Sequence, residues 1–413
     1  MTPLEVQPLS AADEAEFFDV DQWAFGYATQ PDDDEAARQL LEWDRVAGVR
    51  LDDPPRLAGI HAALTLDLPV PGGNVPCGGL TWVGVHPEFR RRGILRAMMR
   101  FHLEAVRERG ELVSALHAAE AAIYGRFGYG MASSWLTLTL GRGTALRNVP
   151  GSEDLVARFE TADLDRHGDL VADLYDRARA DRPGWTSRPR PALREALFHL
   201  PESMRKEYDR QRLLTVRDKA GEVRAYALFL RKMDWTDTGP DYTVTLREAV
   251  ALDAPAAHAL WSRLLDLDLV SKVVARRRPV DDALLELLVD VRGAGVKLAD
   301  GLWVRIVDLP GALAARRYQA PVDVVLDVRD DLLPDNAGRW RLEGGPDGAR
   351  CERTDAEPDL ALDVRDLGAA YLGGRTLAAL AKAGLVTVHR HAALYPAATA
   401  FGWPVAPYSG WLF

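Results

Sequence analysis

The sequence predicts an α/β (α+β) chain of three successive domains, and three observations carry that expectation. The first 140 or so residues alternate strand-like and helix-like apolar patterns, with glycine and proline at the joints. The stretch up to about residue 300 repeats that grammar, and the remainder follows a different one. A length of 413 residues suits two to three domains at roughly 150 residues each. The composition, 47% hydrophobic and 27% charged, is enough to bury several cores. The expected domains are 1–148, 149–300 and 301–413.

In the first domain a helix is expected from about Asp33 to Val46, set between Pro31 and Gly48. Strands follow at Leu57–Val70, broken somewhere, and at Cys77–Val85, with Pro71-Gly72-Gly73-Asn74 as the turn between them. Gly93–Arg109 reads as an amphipathic helix with Ile94, Leu95, Met98, Phe101, Leu103 and Val106 on or near one face. Gly110 sits at its C′ position. A short strand Leu112–Leu116 leads to Ala121–Phe127 and a last strand near Ser134–Leu140, after which Gly141-Arg142-Gly143 and Pro150-Gly151 mark a boundary.

The second domain offers strands at Leu213–Arg217, Ala225–Lys232 and Tyr242–Ala251, then a helix at Pro255–Leu267. The third begins with a strand at Leu302–Asp308 and a short helix at Gly311–Tyr318. It continues with a strand at Val322–Val328, a hairpin around Gly344–Gly348, and helices at Leu367–Leu372, Thr376–Ala383 and Ala392–Phe401. Its last nine residues, Val405 to Phe413, are apolar and aromatic. Most chain ends are polar and frayed, so this one is built to be buried.

Composition removes several function classes. Residues 1–6 show neither the basic n-region nor the apolar core of a secretory signal. No run approaches the ~18 apolar residues of a membrane helix. The two cysteines, Cys77 and Cys351, lack metal-ligand spacing and suit a reducing cytoplasm, with non-classical export left open. No metal site is expected. The net charge of −10 argues against nucleic acid and for a cationic or neutral partner. Asp32-Asp33-Asp34-Glu35 contrasts with the basic run Arg90-Arg91-Arg92, which suggests an anionic cofactor beside a cationic substrate.

The segment Val83-Gly84-Val85-His86-Pro87-Glu88-Phe89-Arg90-Arg91-Arg92-Gly93-Ile94-Leu95-Arg96 carries the chemistry. A strand delivers the chain to a loop, and Gly93 opens a helix whose first N–H groups lack intrahelical acceptors. That end carries roughly +0.5 charge and adjacent arginines add more, so a pyrophosphate fits there. The alternative is a solvated basic turn; the order of strand, Arg-x-x-Gly and long amphipathic helix disfavours it. The matching position of the second domain, Leu252-Asp253-Ala254, has no glycine or arginine and makes a poor phosphate site.

With those residues in hand, the chain resembles the GNAT acetyltransferase superfamily, whose pyrophosphate loop is Gln/Arg-x-x-Gly-x-Gly/Ala. Arg90, Gly93 and Leu95 take its three positions, Leu95 standing where a small residue is usual. Over a wider window, Arg90–Met98, His117-Ala118-Ala119-Glu120 and Ile123-Tyr124-Gly125-Arg126-Phe127-Gly128-Tyr129-Gly130 are similar to the enhanced intracellular survival (Eis) family. The likeness extends to Pro279-Val280-Asp281-Asp282, Asp300-Gly301-Leu302-Trp303 and Ala314-Ala315-Arg316-Arg317-Tyr318. It implies two tandem GNAT-like domains followed by a sterol-carrier-protein-like C-terminal domain. It further implies an N-acetyltransferase using acetyl-CoA on aminoglycosides or lysine side chains, assembled as a homohexamer. Val83, Gly84 and Val85 then contact the acetyl-pantetheine arm, and Arg91, Arg92, Gly93, Ile94, Leu95 and Arg96 hold the phosphates. Ala119 and Glu120 line the cofactor further on, with Ala119 where family members often carry serine.

Acetyl transfer to an amine needs a neutral nucleophile, a stabilised oxyanion and a proton for the departing thiolate. By the resemblance, Tyr124 is the general acid and the C-terminal carboxylate of Phe413 is the general base. A carboxylate at ~3.5 facing an ammonium at ~10 is mismatched by ~6 units, so burial must draw the two together. His117 is the other base candidate, although a lone histidine beside a strand is more often structural. Trp23, Phe25 and Tyr27 form an early aromatic cluster followed by Asp32-Asp33-Asp34-Glu35, suited to polyamines or amino sugars by cation–π contact and ion pairing, or equally to a staple ahead of a helix. A competing reading is a non-catalytic acyl-CoA sensor or lipid carrier using the third domain.

Overall fold

The computed structural model describes residues 4–26, 35, 37–51 and 55–413. They form two compact units: Met1–Ser133, Asp181–Thr186 and Asp300–Phe413 make one, and Ser134–Ala180 with Ser187–Ala299 make the other.

The first unit opens with β1 (Val6–Pro8) and α1 (Glu14–Phe25). The turn ahead of α1 is fixed by Ser10 and Asp13, each side chain accepting a backbone N–H of that turn. The sequence reading did not contain α1, because its buried Phe17, Phe18, Val20 and Asp21 do not make one clean apolar stripe. The expected helix Asp33–Val46 is corrected. Residues 35, 37 and 38 are helical, but Trp43–Arg45 is a single 3-10 turn and Val46–Leu51 is strand β2. Asp33 and Asp34 lie outside the described residues. Strand pairing on both sides overrides helical periodicity here, and at Gly48 a Cβ would stand 2.8 Å from the Gly59 carbonyl oxygen.

β3 (Arg56–Val70) runs unbroken for 15 residues. The break expected in it does not occur; the irregularity lies in its partner β4 (Gly73–Val85), where Ile60 pairs with Gly84 but Ala62 pairs with Thr81, so that Trp82 and Val83 bulge opposite His61. α2 (Ile94–Glu108) crosses over to β5 (Val113–His117), burying Ile94, Met98, Met99, His102, Leu103 and Val106. At about 1.5–3 kcal/mol per large apolar side chain, that face anchors the helix. α3 (Ala121–Tyr124) and β6 (Gly130–Met131) follow, and β7 (Leu302–Ile306) completes the sheet in the order β1-β2-β3-β4-β5-β7-β6.

After α4 (Leu309–Ala315) comes a second sheet of this unit. It contains β8 (Val322–Arg329), β9 (Gly338–Gly345), β10 (Gly348–Arg353), β11 (Leu360–Asp363) and β12 (Val386–Val388), in the order β10-β9-β8-β11-β12. Helices α5 (Val364–Ala370), α6 (Leu377–Lys382) and α7 (His391–Phe401) accompany it. α5 lies on β6 and β7 through two glycines. A Cβ at Gly130 would meet the Arg365 carbonyl oxygen at 1.9 Å, and one at Gly368 the Val304 carbonyl oxygen at 2.5 Å. The interior beside α7 is filled by Arg316, Tyr318, Tyr371 and Phe401, all fully buried. The Arg316 guanidinium donates to the carbonyls of Tyr371 and Phe401 and faces the Tyr318 ring at 4.7 Å.

The second unit is built on a seven-stranded sheet, Lys297–Asp300, Ser134–Gly141, Val270–Pro279, Tyr242–Ala251, Val223–Lys232, Arg212–Arg217 and Val156–Thr161 in that spatial order, with a two-stranded ribbon of Trp235–Thr236 and Gly239–Pro240 beside it in sequence. Helix Ala254–Leu265 crosses between its parallel pair and buries Leu260, Trp261 and Leu264. Chain order and sheet membership part at two strands. Ser134–Gly141, read as the last strand of the first segment, pairs inside this second unit, while β7, read as the first strand of the third, pairs with β5 and β6.

Behind the β4 bulge, His61 and His102 are fully buried with ring centroids 5.8 Å apart. Burial pushes the His61 imidazole down to about 4. Burial, then the charges of His61 and Arg45, holds His102 well below its ordinary value. Below about pH 6.5 the unfolded chain takes up these protons and the folded chain does not, so stability falls as pH falls. Between pH 6.5 and 4.5 His61 alone removes about 2–3 kcal/mol, several degrees in Tm. A His61→Phe variant is expected to show a flatter fall of Tm across that window in thermal melts. Parallel curves for the two proteins would show that this pair does not set the acid limit.

Candidate active site

The site begins where two parallel strands part. β4 pairs with β5 at Cys77–Val113, Gly78–Ser114 and Gly79–Ala115, and beyond Gly79 it continues to Val85 without further pairing to β5. Trp82, at φ 49°, lies in the bulge that turns β4 outward. Main-chain groups between Leu80 and Val85 on the β5 side are left available to an extended amide-bearing ligand, which can complete the ladder as a strand would.

At the outer end of the opening, Arg91 (φ 64°) and Gly93 (φ 87°) both adopt left-handed backbone. Gly93 is the N-cap of α2 and has no side chain to cap it, so the first-turn amides point outward with the positive end of the helix dipole. The second unit shows what a closed version looks like. There Asp253 caps its helix, accepting from Ala256 N–H at 2.8 Å, and Arg224 neutralises that carboxylate at 2.6 Å. Arg278 donates to the Ala249 carbonyl at 2.8 Å, occupying a main-chain acceptor past the point where Tyr242–Leu246 stops pairing with Val270–Ala275. Its phosphate position is filled by its own carboxylate.

A cleft of about 830 Å³ fills the opening in the first unit. Of the residues singled out from sequence, Phe25, Val83, Gly84, Val85, Arg91, Gly93, Ile94, Leu95, Arg96, Ala119, Glu120 and Tyr124 line it. Arg92 does not; its guanidinium lies over the Phe89 ring at 5.3 Å. Trp23 is exposed, edge-on to His86 at 5.4 Å and outside the cleft. Tyr27 and Asp32 to Asp34 lie outside the described residues. Ala24, Phe89, Arg90, Ile123, Arg126 and Phe127 also line the cleft; all but Ala24 fall inside the Val83–Arg96 segment or the Tyr124 motif.

Tyr124 ends α3 with its ring buried, and its hydroxyl makes no hydrogen bond within the protein among the described residues. Burial, with the Glu120 charge second, pushes the phenol up to about 12. Behind it, at 6.0 Å between centroids, Tyr129 is fully buried and bonded to Ser114 Oγ at 2.8 Å. Ser114 Oγ donates to the Gly78 carbonyl at 2.9 Å and bonds His102 Nε2 at 2.8 Å, tying α2 to both strands where they begin to part. The Phe413 ring stands against the other face of that point, its Cε2 3.2 Å from where a Gly79 Cβ would be. It also meets the His117 ring at 5.0 Å, and His117 Nε2 bonds Ser409 Oγ at 3.1 Å. His117 is therefore engaged with the C-terminal tail.

A parted parallel pair, an uncapped helix start between arginines and a buried tyrosine define a GNAT-type acyltransferase site. Residues 5–132 and 184–306 match acetyltransferase (GNAT) domain families, and residues 309–410 match the sterol carrier protein domain. An uncharacterized N-acetyltransferase of Streptomyces avermitilis is 43% identical over 93% of each chain. N-acetyltransferase Eis of Mycobacterium tuberculosis is 34% identical over 86% of this chain and 85% of its own. The crystal structure of Eis1 from Mycobacterium abscessus superposes with a TM-score of 0.83 at 32% identity, covering 99% of this chain and 100% of that one. The chain belongs to the Eis family of N-acetyltransferases. Its architecture is two GNAT domains and a C-terminal sterol-carrier-like domain, and its cosubstrate class is acyl-CoA. Among the described residues no His/Cys/Asp/Glu group is placed to hold a metal, and no helix is long and apolar enough to cross a membrane.

The cleft separates two neighbouring arginines. Arg96→Ala is expected to weaken acyl-CoA binding roughly fivefold, about 1 kcal/mol, and to flatten its salt dependence. Arg92→Ala is expected to change it less than about twofold. Calorimetric titration of both variants at two ionic strengths checks this, and equal losses would show that cleft lining does not separate phosphate contacts from neighbours.

Proposed function

We propose that this enzyme transfers the acetyl group of acetyl-CoA directly to a primary amine of a cationic substrate, aminoglycoside-like, polyamine-like or a lysine side chain. The observation that carries this reading is the parting of β4 and β5 at Gly79, with Tyr124 lining the cleft beyond it and the Phe413 ring against Gly79. Acetyl-pantetheine lies along Val83 to Val85, and the pyrophosphate sits at Gly93 to Arg96. The amine nitrogen attacks the thioester carbonyl, and a β4 amide stabilises the oxyanion. The C–S bond then breaks, and the thiolate takes the Tyr124 proton. The proton lost by the nitrogen passes to the Phe413 carboxylate, directly or through one water.

The phenol at about 12 stays protonated throughout the neutral range, so the acid is always loaded. Against a thiol of ~8.5 in water it is too weak by roughly 3.5 units, about 5 kcal/mol. Burial shrinks that gap, because a buried thiolate is also a stronger base: burial pushes the Cys351 thiol of this chain up to about 12. Excluding water from the cleft therefore eases the transfer. Phe25 and Glu120 on the cleft wall suit a cationic substrate, with Trp23 outside the cleft.

Both cysteines are free and buried, which is compatible with work in the cytoplasm. The family resemblance supports a homohexamer as the working assembly. Tyr124→Phe should lower kcat at least roughly tenfold, about 1.4 kcal/mol, with acetyl-CoA affinity retained. Appending one residue after Phe413 should do the same. Thiol release assayed with a panel of cationic amines reads both, and wild-type turnover in either variant would remove that group from the mechanism.

A further inference from the structure

One short segment has a placement that the cofactor cleft does not explain. Asp181–Thr186 belongs to the first unit although the residues on both sides of it belong to the second. Its contacts fall on the sheet and on the C-terminal tail. Gly184 N–H donates to the Pro69 carbonyl at 2.8 Å, near the far end of β3. The tail is then held at Ala406 and Tyr408. Arg182 Nη1 donates to the Ala406 carbonyl at 2.8 Å, and Tyr408 N–H donates to the Pro183 carbonyl at 2.9 Å. The Trp185 ring meets Tyr408 edge-on at 5.2 Å.

Two glycines make the fit obligatory. Gly184 adopts φ +84°, and a Cβ there would meet the Tyr408 carbonyl oxygen at 3.1 Å. At Gly410 a Cβ would lie 1.9 Å from Trp185 Nε1, closer than any side chain can stand. Past this point only Trp411, Leu412 and Phe413 remain. Ser409, held by His117 Nε2 at 3.1 Å, donates to the Trp411 carbonyl at 3.0 Å and sets the direction of those last residues. Tyr408 and Ser409 are buried while Leu412 is half exposed, so order is imposed upstream of the terminus.

We propose that Arg182 to Trp185 form a clamp that positions the C-terminal carboxylate, with Trp185 and Gly410 as its paired positioning residues. The proposal rests on the reading of Phe413 as general base. A carboxylate at the end of a chain has no side-chain tether of its own, and a misplacement of about 1 Å can cost on the order of a hundredfold in rate. Backbone contacts at Ala406 and Tyr408, and a glycine pressed under an indole, supply that tether three residues before the end.

The experiment measures steady-state kcat and KM, with calorimetric acetyl-CoA affinity, for Gly410→Ala, Trp185→Ala, the double variant and Trp185→Phe. Gly410→Ala and Trp185→Ala should each lower kcat at least fivefold while acetyl-CoA affinity stays within twofold. The double variant should fall no further than the worse single one, because both break one contact. Trp185→Phe, which keeps an aromatic ring against Tyr408, should recover most of the loss. Wild-type kcat in Gly410→Ala or Trp185→Ala would overturn the clamp. If those variants are at wild-type level while a residue added after Phe413 abolishes turnover, the clamp fails and the base assignment survives. An added residue without effect overturns both. Should Trp185→Ala not fold, Gly410→Ala against Trp185→Phe still decides the matter.

Discussion

The separation of β4 from β5 after Gly79 is the constraint on which the rest of the first unit turns. Two parallel strands held by three residue pairs must be anchored behind the split and kept apart beyond it. Behind the split, Gly78 and Gly79 let neighbours approach without side chains of their own: a Cβ would meet Val106 at 2.6 Å from Gly78, and Leu66 at 2.4 Å from Gly79. The Ser114 hydroxyl, bonded to Gly78, His102 and Tyr129, locks the same level. Beyond it, the bulge at His61 and Trp82 turns β4 away, and β7 holds β5 in place from its other side. Unsatisfied main chain inside a protein costs free energy, and this arrangement keeps it ready for a ligand.

The third domain matters to this geometry through buried polar contacts. Arg305 on β7 is fully buried; its Nε donates to the Phe127 carbonyl at 2.9 Å, and its Nη2 pairs with Asp330 at 2.7 Å. Asp330 in turn accepts from the Leu332 and Leu333 amides and from Asn336. Phe127 lies three residues after Tyr124, and Gly128 next to it has no room for a Cβ, which would stand 2.6 Å from Arg305 Nε. The turn carrying the phenol is thus braced by an ion pair whose carboxylate comes from beyond residue 320. Arg316 plays a comparable part in the domain's own interior, where carbonyls and aromatic faces replace a carboxylate partner. Burial accordingly holds it below the ordinary arginine range.

Several features were legible because their physics is local. The glycine helix start flanked by positive charge was legible in Arg90 to Gly93, and so was its lack at Leu252-Asp253-Ala254; that Asp253 caps its helix is seen only in the structure. The α2 face, β3, β4 and the hairpin around Gly344–Gly348 also followed from periodicity and turn residues. α1 was not legible, since adjacent buried aromatics break its stripe, and Val46–Leu51 looked helical until sheet partners claimed it. Arg91 and Arg92 are indistinguishable as letters; only the backbone turn sends one to the cleft and the other over Phe89.

By itself, then, the sequence determined most of the kinds of elements, the Arg-x-x-Gly helix start, the Tyr124 motif and the apolar character of the last residues. Tertiary structure alone decided which sheet each strand joins, exchanging Ser134–Gly141 and Leu302–Ile306 against chain order. It also decided that His117 is taken up by Ser409 and the Phe413 ring, and that residues 182–185 grip the tail. The reason is range. Alternation and capping act over a few residues, whereas strand partners and the seating of a terminus depend on contacts made across hundreds of residues, which no local pattern encodes.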